Sequence, residues 1–117
     1  MIDLGRLRMV TKNVDGAVQI LDRAVKLQPA SAEANYFLGD AYLHAKLGSK
    51  AVPYLNEALK LDPAGMADAH LLLAALYNAT GFKDKAAAEY SAFLKQKPDF
   101  PERKRLEAYI SANKSRN

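Results

Sequence analysis

The stretch that decides the fold is residues 32–64, AEANYFLGDAYLHAKLGSKAVPYLNEALKLDPA. Its apolar residues recur every three or four positions, first in a run that contains Leu38 and Tyr42 and then in a run that contains Leu55. This spacing predicts two amphipathic helices. Gly48, between the two runs, is interpreted as a helix stop. The stretch therefore predicts one helix–turn–helix unit.

This unit is repeated along the chain. Pro29, Pro63 and Pro98 are 34 and 35 residues apart, and the residues before them recur in the same register. One position of the repeat always holds alanine, and another always holds a bulky residue. The alanines are Ala17, Ala51 and Ala86, and the bulky residues are Leu21, Leu55 and Tyr90. A repeat of this length predicts helix pairs that each bury an apolar face against the next pair.

Residues 32–64 and residues 67–98, ADAHLLLAALYNATGFKDKAAAEYSAFLKQKP, resemble the tetratricopeptide repeat family. The shared pattern is Leu-Gly, Tyr, Ala, a bulky apolar residue, Ala-Leu and Pro. The resemblance implies an all-α fold of helix–turn–helix repeats stacked into a short right-handed superhelical solenoid. We expect one domain over residues 1–112, with repeats at 1–30, 31–64 and 66–98, a cap helix at 99–112 and a frayed tail at 113–117.

Several positions depart from the family pattern. Asn35 and His70 occupy the place of the usual tryptophan, and Arg8 replaces the usual tyrosine of the first repeat. Phe93 replaces a small alanine, so the third repeat is expected to repack around it. We expect His70 to pack between helices rather than to bind a metal ion.

The resemblance also implies where a partner binds. Arrays of this family usually hold a peptide or helix in a concave groove lined by the first helix of each repeat. Carried over by register, the groove residues are Arg6, Met9, Val10, Glu33, Tyr36, Phe37, Asp40, Leu43, His44, Asp68, Leu71, Leu72, Ala75 and Asn78. Of these, Phe37 and Leu72 are the ones we expect in the core. A face that exposes Tyr36, Leu43 and Leu71 is more apolar than a surface that contacts only solvent, and this favours a binding role.

The groove charges indicate the class of partner. One subgroup of the family holds the C-terminal carboxylate of heat-shock chaperones with lysine, asparagine and arginine. The matching positions here are Ile2, Arg6, Phe37, Asp68 and Leu72. Only Arg6 is compatible with that activity. Because Glu33, Asp40 and Asp68 would repel an acidic tail, we expect a neutral to basic protein segment with apolar anchors.

Composition excludes several classes of function. The 117 residues include no cysteine and only two histidines, His44 and His70, which are not at metal-ligand spacing. The glycines form no phosphate-binding loop. We therefore expect no catalytic residues, no metal site and no cofactor. No stretch approaches the roughly 20 apolar residues of a membrane span. The sequence does not decide the compartment, because it fits both a cytoplasmic protein and an exported parent protein.

Self-association is a second candidate function. In the first helix, Leu4 and Leu7 lie on one side, whereas Ile2 and Met9 lie nearly opposite. Apolar residues on several sides predict that this edge is covered. The cover would be a second copy, in a homodimer joined through Ile2 and Met9, or further repeats of a longer array.

The third candidate function is electrostatic binding to an anionic membrane or a nucleic acid. The net charge is +4, and a locally basic segment occurs near the C-terminus. Its residues are Arg103, Lys104, Arg105, Lys114 and Arg116. A nucleic-acid binder usually concentrates basic charge along a whole face. Because only the last segment is basic, we expect neither nucleic acid nor membrane as the main partner.

Overall fold

The computed structural model describes residues 14–114, and the chain divides into two compact units, residues 1–66 and residues 67–117. The described residues form helices and no strand. The helices are α1 (Val14–Leu27), α2 (Ala32–His44), α3 (Gly48–Leu61), α4 (Asp68–Ala79), α5 (Lys83–Gln96) and α6 (Arg103–Asn113). The predicted all-α class and its helix–turn–helix repeats are confirmed. The hand of the superhelix and the single domain over residues 1–112 stay predictions.

In the first unit, α2 packs against both α1 and α3. Its core joins two helices through Ala17 and Leu21 of α1 and Leu38 and Ala41 of α2, all fully buried. Half-buried apolar residues pack around this cluster: Val18, Val25, Phe37, Tyr42 and Tyr54. The residues at the bulky and small repeat positions therefore form the core, as the register predicts.

The close approach of α2 and α3 depends on a glycine. A Cβ atom placed on Gly39 would lie 2.7 Å from both Cγ and Cδ2 of Leu55 and 3.3 Å from the carbonyl oxygen of Ala51. Contacts under 3.0 Å require the neighbour to move, and Leu55 is itself fully buried. Only a residue without a side chain fits at this crossing in its present geometry.

The second unit packs α5 against both α4 and α6. Leu73 and Ala74 of α4 and Ala86 of α5 are fully buried, and Phe93 is 2% exposed. The ring of Phe93 meets the ring of Phe100 edge-on, with centroids 5.0 Å apart. This contact accommodates the larger side chain at a position where the family has alanine.

At the tryptophan position of the second repeat, Asn35 is 2% exposed, and its side-chain amide group makes two hydrogen bonds as a donor. Its Nδ2 donates to the main-chain oxygens of Pro29, at 3.0 Å, and Ser31, at 2.9 Å. The Ser31 hydroxyl in turn accepts a hydrogen bond of 3.1 Å from the amide of Ala34, which caps the start of α2. A buried polar side chain is stable here because its donors have partners.

At the same position of the third repeat, His70 connects α4 to α5. Its Nδ1 donates to Oε1 of Glu89 at 2.7 Å, and its side chain is only 17% exposed. The expected packing of His70 between helices is therefore observed. The replacement of tryptophan by histidine exchanges an apolar contact for a hydrogen bond.

The end of α2 differs from the prediction. Gly48 is the first residue of α3, so its assignment as the helix stop was wrong. The chain reverses instead through Lys46, which has a left-handed φ of 63°. The matching residue of the second unit is Gly81, with a φ of 88°. The turn between paired helices needs a left-handed residue, and only the second unit supplies glycine for it.

These turn residues provide a matched pair of substitutions. We expect Gly81→Ala to lower the free energy of unfolding by about 1–2 kcal/mol, because an L-residue is strained at positive φ. No atom lies within 4 Å of the added Cβ, so backbone strain is the only cost. Urea unfolding followed by circular dichroism would measure the effect.

The converse change is Lys46→Gly. Glycine relieves the backbone strain of Lys46 but is more flexible in the unfolded chain, and the two effects oppose each other. The free energy of unfolding should therefore change by less than about 1 kcal/mol. If Gly81→Ala is as stable as the wild type, Gly81 does not have the left-handed conformation described above.

The cap helix begins later than the sequence predicts. The predicted segment was 99–112, whereas α6 spans Arg103–Asn113. The residues before it form turns, with the amide of Phe100 donating to the oxygen of Lys97 at 3.1 Å. Pro101 lacks the amide hydrogen that a longer helix would use.

Candidate functional site

The predicted groove residues of the second repeat lie together on one side of α2. Those at spacings of three or four residues form one stripe, which we call the α2 stripe: Glu33, Tyr36, Asp40 and His44. Glu33 and His44 are exposed, whereas Tyr36 and Asp40 are half-buried. The opposite side of the helix carries the buried Leu38. The stripe is therefore the outward face of α2 within the described part of the first unit.

Two further groove residues flank the α2 stripe. Phe37 packs against the core cluster of the first unit, as expected of it, and its ring meets that of Tyr36 at a centroid distance of 5.4 Å and an angle of 84°. Leu43 is half-buried near the end of the helix. Aromatic and aliphatic surface thus borders the acidic residues of the stripe.

Asp40 has an unusual environment for a surface carboxylate. Its side chain is 25% exposed, and Nδ1 of His44 lies 3.5 Å from Oδ1. The same Nδ1 lies 2.9 Å from the main-chain oxygen of Asp40. Because a carbonyl oxygen can only accept, Nδ1 carries the proton and donates it there. Burial raises the pKa of the Asp40 carboxyl, and the nearby His44 partly opposes that rise.

In the second unit, the predicted groove residues lie on α4 in two environments. Asp68 and Ala75 are exposed, whereas Leu71 and Leu72 are half-buried. The exposed Asn78 accepts a hydrogen bond of 2.7 Å at Oδ1 from the hydroxyl of Tyr109 in α6. Part of this face is therefore bonded to the C-terminal helix.

Leu71 lines a cleft of about 270 Å³ within the second unit. The other lining residues come from α5, from the turn before α6 and from α6 itself: Tyr90, Phe100, Glu102, Arg105 and Leu106. Arg105 and Glu102 form an ion pair of 3.0 Å. The cleft is therefore lined by apolar side chains and by one ion pair.

Sequence reasoning missed Phe100, Leu106 and Tyr109 as neighbours of the groove residues, because it assigned the last segment to capping and to electrostatic binding but not to the groove. The available signal was the apolar spacing of Leu106, Tyr109 and Ile110, which form a stripe that has to lie against the last helix pair.

The remaining predicted site residues fall outside residues 14–114. They are the groove residues Arg6, Met9 and Val10 and the self-association edge Ile2 and Met9. Arg116 of the basic segment also lies outside. These assignments stay predictions.

Two of the described basic residues near the C-terminus have acidic partners. Nε of Arg103 lies 3.0 Å from Oε1 of Glu107, and Arg105 is paired with Glu102. Each pair reduces the local positive charge that an anionic membrane or a nucleic acid would encounter.

Within the described residues, no group of three or more histidine, aspartate or glutamate side chains is arranged to hold a metal ion. None of the helices from α1 to α6 has both the length and the apolar composition of a membrane span.

Comparison with known proteins places the chain in a family. Two family models described as tetratricopeptide repeat match residues 2–66 and residues 48–110. The chain belongs to the tetratricopeptide repeat family. Tetratricopeptide repeats are protein-interaction repeats, so the chain is, at this level, a protein-interaction scaffold. The resemblance proposed from the sequence is confirmed.

Solved structures of the protein MamA are similar to this tetratricopeptide repeat chain. One has a TM-score of 0.81 at 27% identity and covers 94% of this chain and 67% of its own. Another has a TM-score of 0.80 at 27% identity and covers 94% of this chain and 72% of its own. No curated protein sequence matches the chain.

Proposed function

We propose that the chain binds a peptide or helix of a partner protein through the groove predicted for its first helices, and that α2 of the first unit and α4 of the second unit each present a binding face. The observation that carries this proposal is the α2 stripe. It sets the half-buried Tyr36 between the acidic Glu33 and Asp40 on an outward helix face. A half-buried aromatic side chain next to charged groups is typical of binding surfaces.

The charges of these faces favour a neutral to basic segment. Glu33 and Asp40 on α2 and Asp68 on α4 are acidic. Complementary charge speeds association and disfavours wrong partners. The same residues disfavour an acidic chaperone tail, whose carboxylate would meet like charge.

Apolar anchors of the partner have a suitable site in the second unit. The cleft beside Leu71 is lined by Tyr90, Phe100 and Leu106, and its volume of about 270 Å³ suits one large apolar side chain. Such pockets usually supply most of the binding energy of an interface. We therefore include the cleft in the proposed contact surface of α4.

Tyr36→Ala should weaken partner binding about tenfold, equal to about 1.4 kcal/mol, because an aromatic side chain that contacts the partner is lost. The probe is a peptide selected on the intact chain from a random phage-displayed library, and fluorescence anisotropy measures its affinity. Lys60→Ala is the control, because Lys60 is exposed on α3. A larger loss with Lys60→Ala than with Tyr36→Ala would show that the partner uses another face.

A further inference from the structure

We infer that the Asp40 carboxylate recognises one basic side chain, lysine or arginine, of the partner segment. The inference rests on the proposed function and narrows it from a general acidic face to a single contact. Three observations support it: the hydrogen bonds of Asp40, the effect of its burial, and the chemistry of its neighbours.

The first observation is that Asp40 lacks a protein donor within the described residues. An N–H group bonded to a carboxylate lies about 2.7–3.2 Å from the acceptor oxygen. Nδ1 of His44 is 3.5 Å from Oδ1 and already donates to the main-chain oxygen of Asp40 at 2.9 Å. A carboxylate can accept several hydrogen bonds. Asp40 therefore retains acceptor capacity on an outward face.

The second observation is that the fold gains nothing from the charge of Asp40. Burial raises the pKa of its carboxyl above the ordinary value of 3.8. An acid with a raised folded pKa stabilises the fold below its unfolded pKa, and that contribution is lost as the pH rises through the folded value. At neutral pH the ionised group is thus unfavourable for folding. A partner cation would offset this desolvation.

The third observation is that the neighbours of Asp40 suit a cation. Glu33 lies on the same stripe and adds negative charge, and the aromatic Tyr36 lies one turn before Asp40. The other titratable group of the stripe, His44, is exposed and can turn towards solvent. Within the described residues a metal ion lacks the ligand groups it needs. A basic side chain of a peptide needs only one carboxylate as its partner, and Asp40 supplies one.

The inference predicts the sequence of the partner. A random phage-displayed peptide library is selected in parallel on the wild-type chain, on Asp40→Asn and on Asp84→Asn. Asp84→Asn is the matched control, because it removes the same charge from an exposed residue of α5. Wild type and control should enrich lysine or arginine at one fixed distance from an apolar residue. Asp40→Asn should lose that enrichment, and a wild-type peptide should bind it about tenfold more weakly.

The outcomes separate the inference from the proposed function. Peptides that require Tyr36 but carry no fixed basic position overturn the inference and leave the groove in place. If no selected peptide binds Tyr36→Ala more weakly than the wild type, both the inference and the proposed function are overturned. If lysine or arginine is still enriched on Asp40→Asn, another acidic residue binds the basic side chain, and the inference is again overturned.

A stability measurement distinguishes a binding role of Asp40 from a structural one. Asp40→Asn should melt at the same temperature as the wild type or higher at neutral pH, because the amide avoids desolvation of a charge. The difference should disappear as the pH falls below the ordinary carboxyl value, where the wild-type side chain is also neutral. A lower melting temperature for Asp40→Asn at neutral pH would show that the carboxylate serves the fold, and it would overturn the inference.

Discussion

Replacing Leu38 with alanine should lower the free energy of unfolding by about 3–5 kcal/mol, the upper part of the range for buried leucine. Leu38 is fully buried in the core of the first unit, among Ala17, Leu21 and Ala41. Two of these neighbours are alanines, whose side chains cannot move to fill the space. The substitution therefore loses the apolar contacts and also leaves a cavity. Against a typical total of about 5–15 kcal/mol, this loss is large.

Urea unfolding followed by circular dichroism would measure this loss. The matched control is Leu27→Ala, which removes the same atoms from a side chain that is 71% exposed at the end of α1. We expect the control to change stability by less than about 1 kcal/mol, as exposed substitutions usually do. Equal losses for Leu38→Ala and Leu27→Ala would contradict the core assignment.

The second large effect concerns the crossing of α2 and α3. Gly39→Val should lower the free energy of unfolding by about 2–3 kcal/mol through overpacking. The first added atom would lie 2.7 Å from Leu55, which is fully buried and cannot turn towards solvent, and 3.3 Å from the carbonyl oxygen of Ala51. The helices would have to separate, and that separation would expose part of the core.

Ala75→Val is the control for Gly39→Val. Ala75 is exposed on α4, so valine there should cost only its lower helix propensity, roughly 0.5 kcal/mol. Thermal melts of the two variants under one condition would compare them. A Gly39→Val variant that melts no lower than Ala75→Val would mean that the two helices do not meet at this glycine.

The core could be predicted from the sequence because its residues recur in register. Leu38 and Leu55 occupy repeat positions that hold bulky residues, and Ala51 and Ala86 occupy the alanine position. All four are fully buried. A period of about one helix pair leaves little freedom in which face of each helix turns inward.

The outward faces were predicted in part. The register placed Glu33, Asp40 and His44 on one side of α2, and the helical period alone is enough for that result. Their role in binding stays a proposal. The neighbours of Leu71 on α6 could not be predicted, because they depend on where the cap helix begins and how it packs.

Local turns were the least predictable feature. Gly48 looks like a helix stop in the sequence, yet Lys46 takes the left-handed conformation and Gly48 begins α3. The length of the turn and the packing of α2 on α3 set which residue reverses the chain. Packing outweighed the preference of glycine for that conformation, which is worth only about 1–2 kcal/mol.

The sequence by itself determined the repeat, the all-α class, the family and the inward face of each helix, because periodic apolar residues specify these features locally. The tertiary structure alone decided three others. It left the Asp40 carboxylate half-buried, with no hydrogen-bond donor to it among the described residues. It also connected His70 to Glu89 and brought α6 close to Leu71 and Asn78. Each depends on distances between side chains far apart in sequence or on burial by neighbouring helices, and no periodic pattern encodes those quantities.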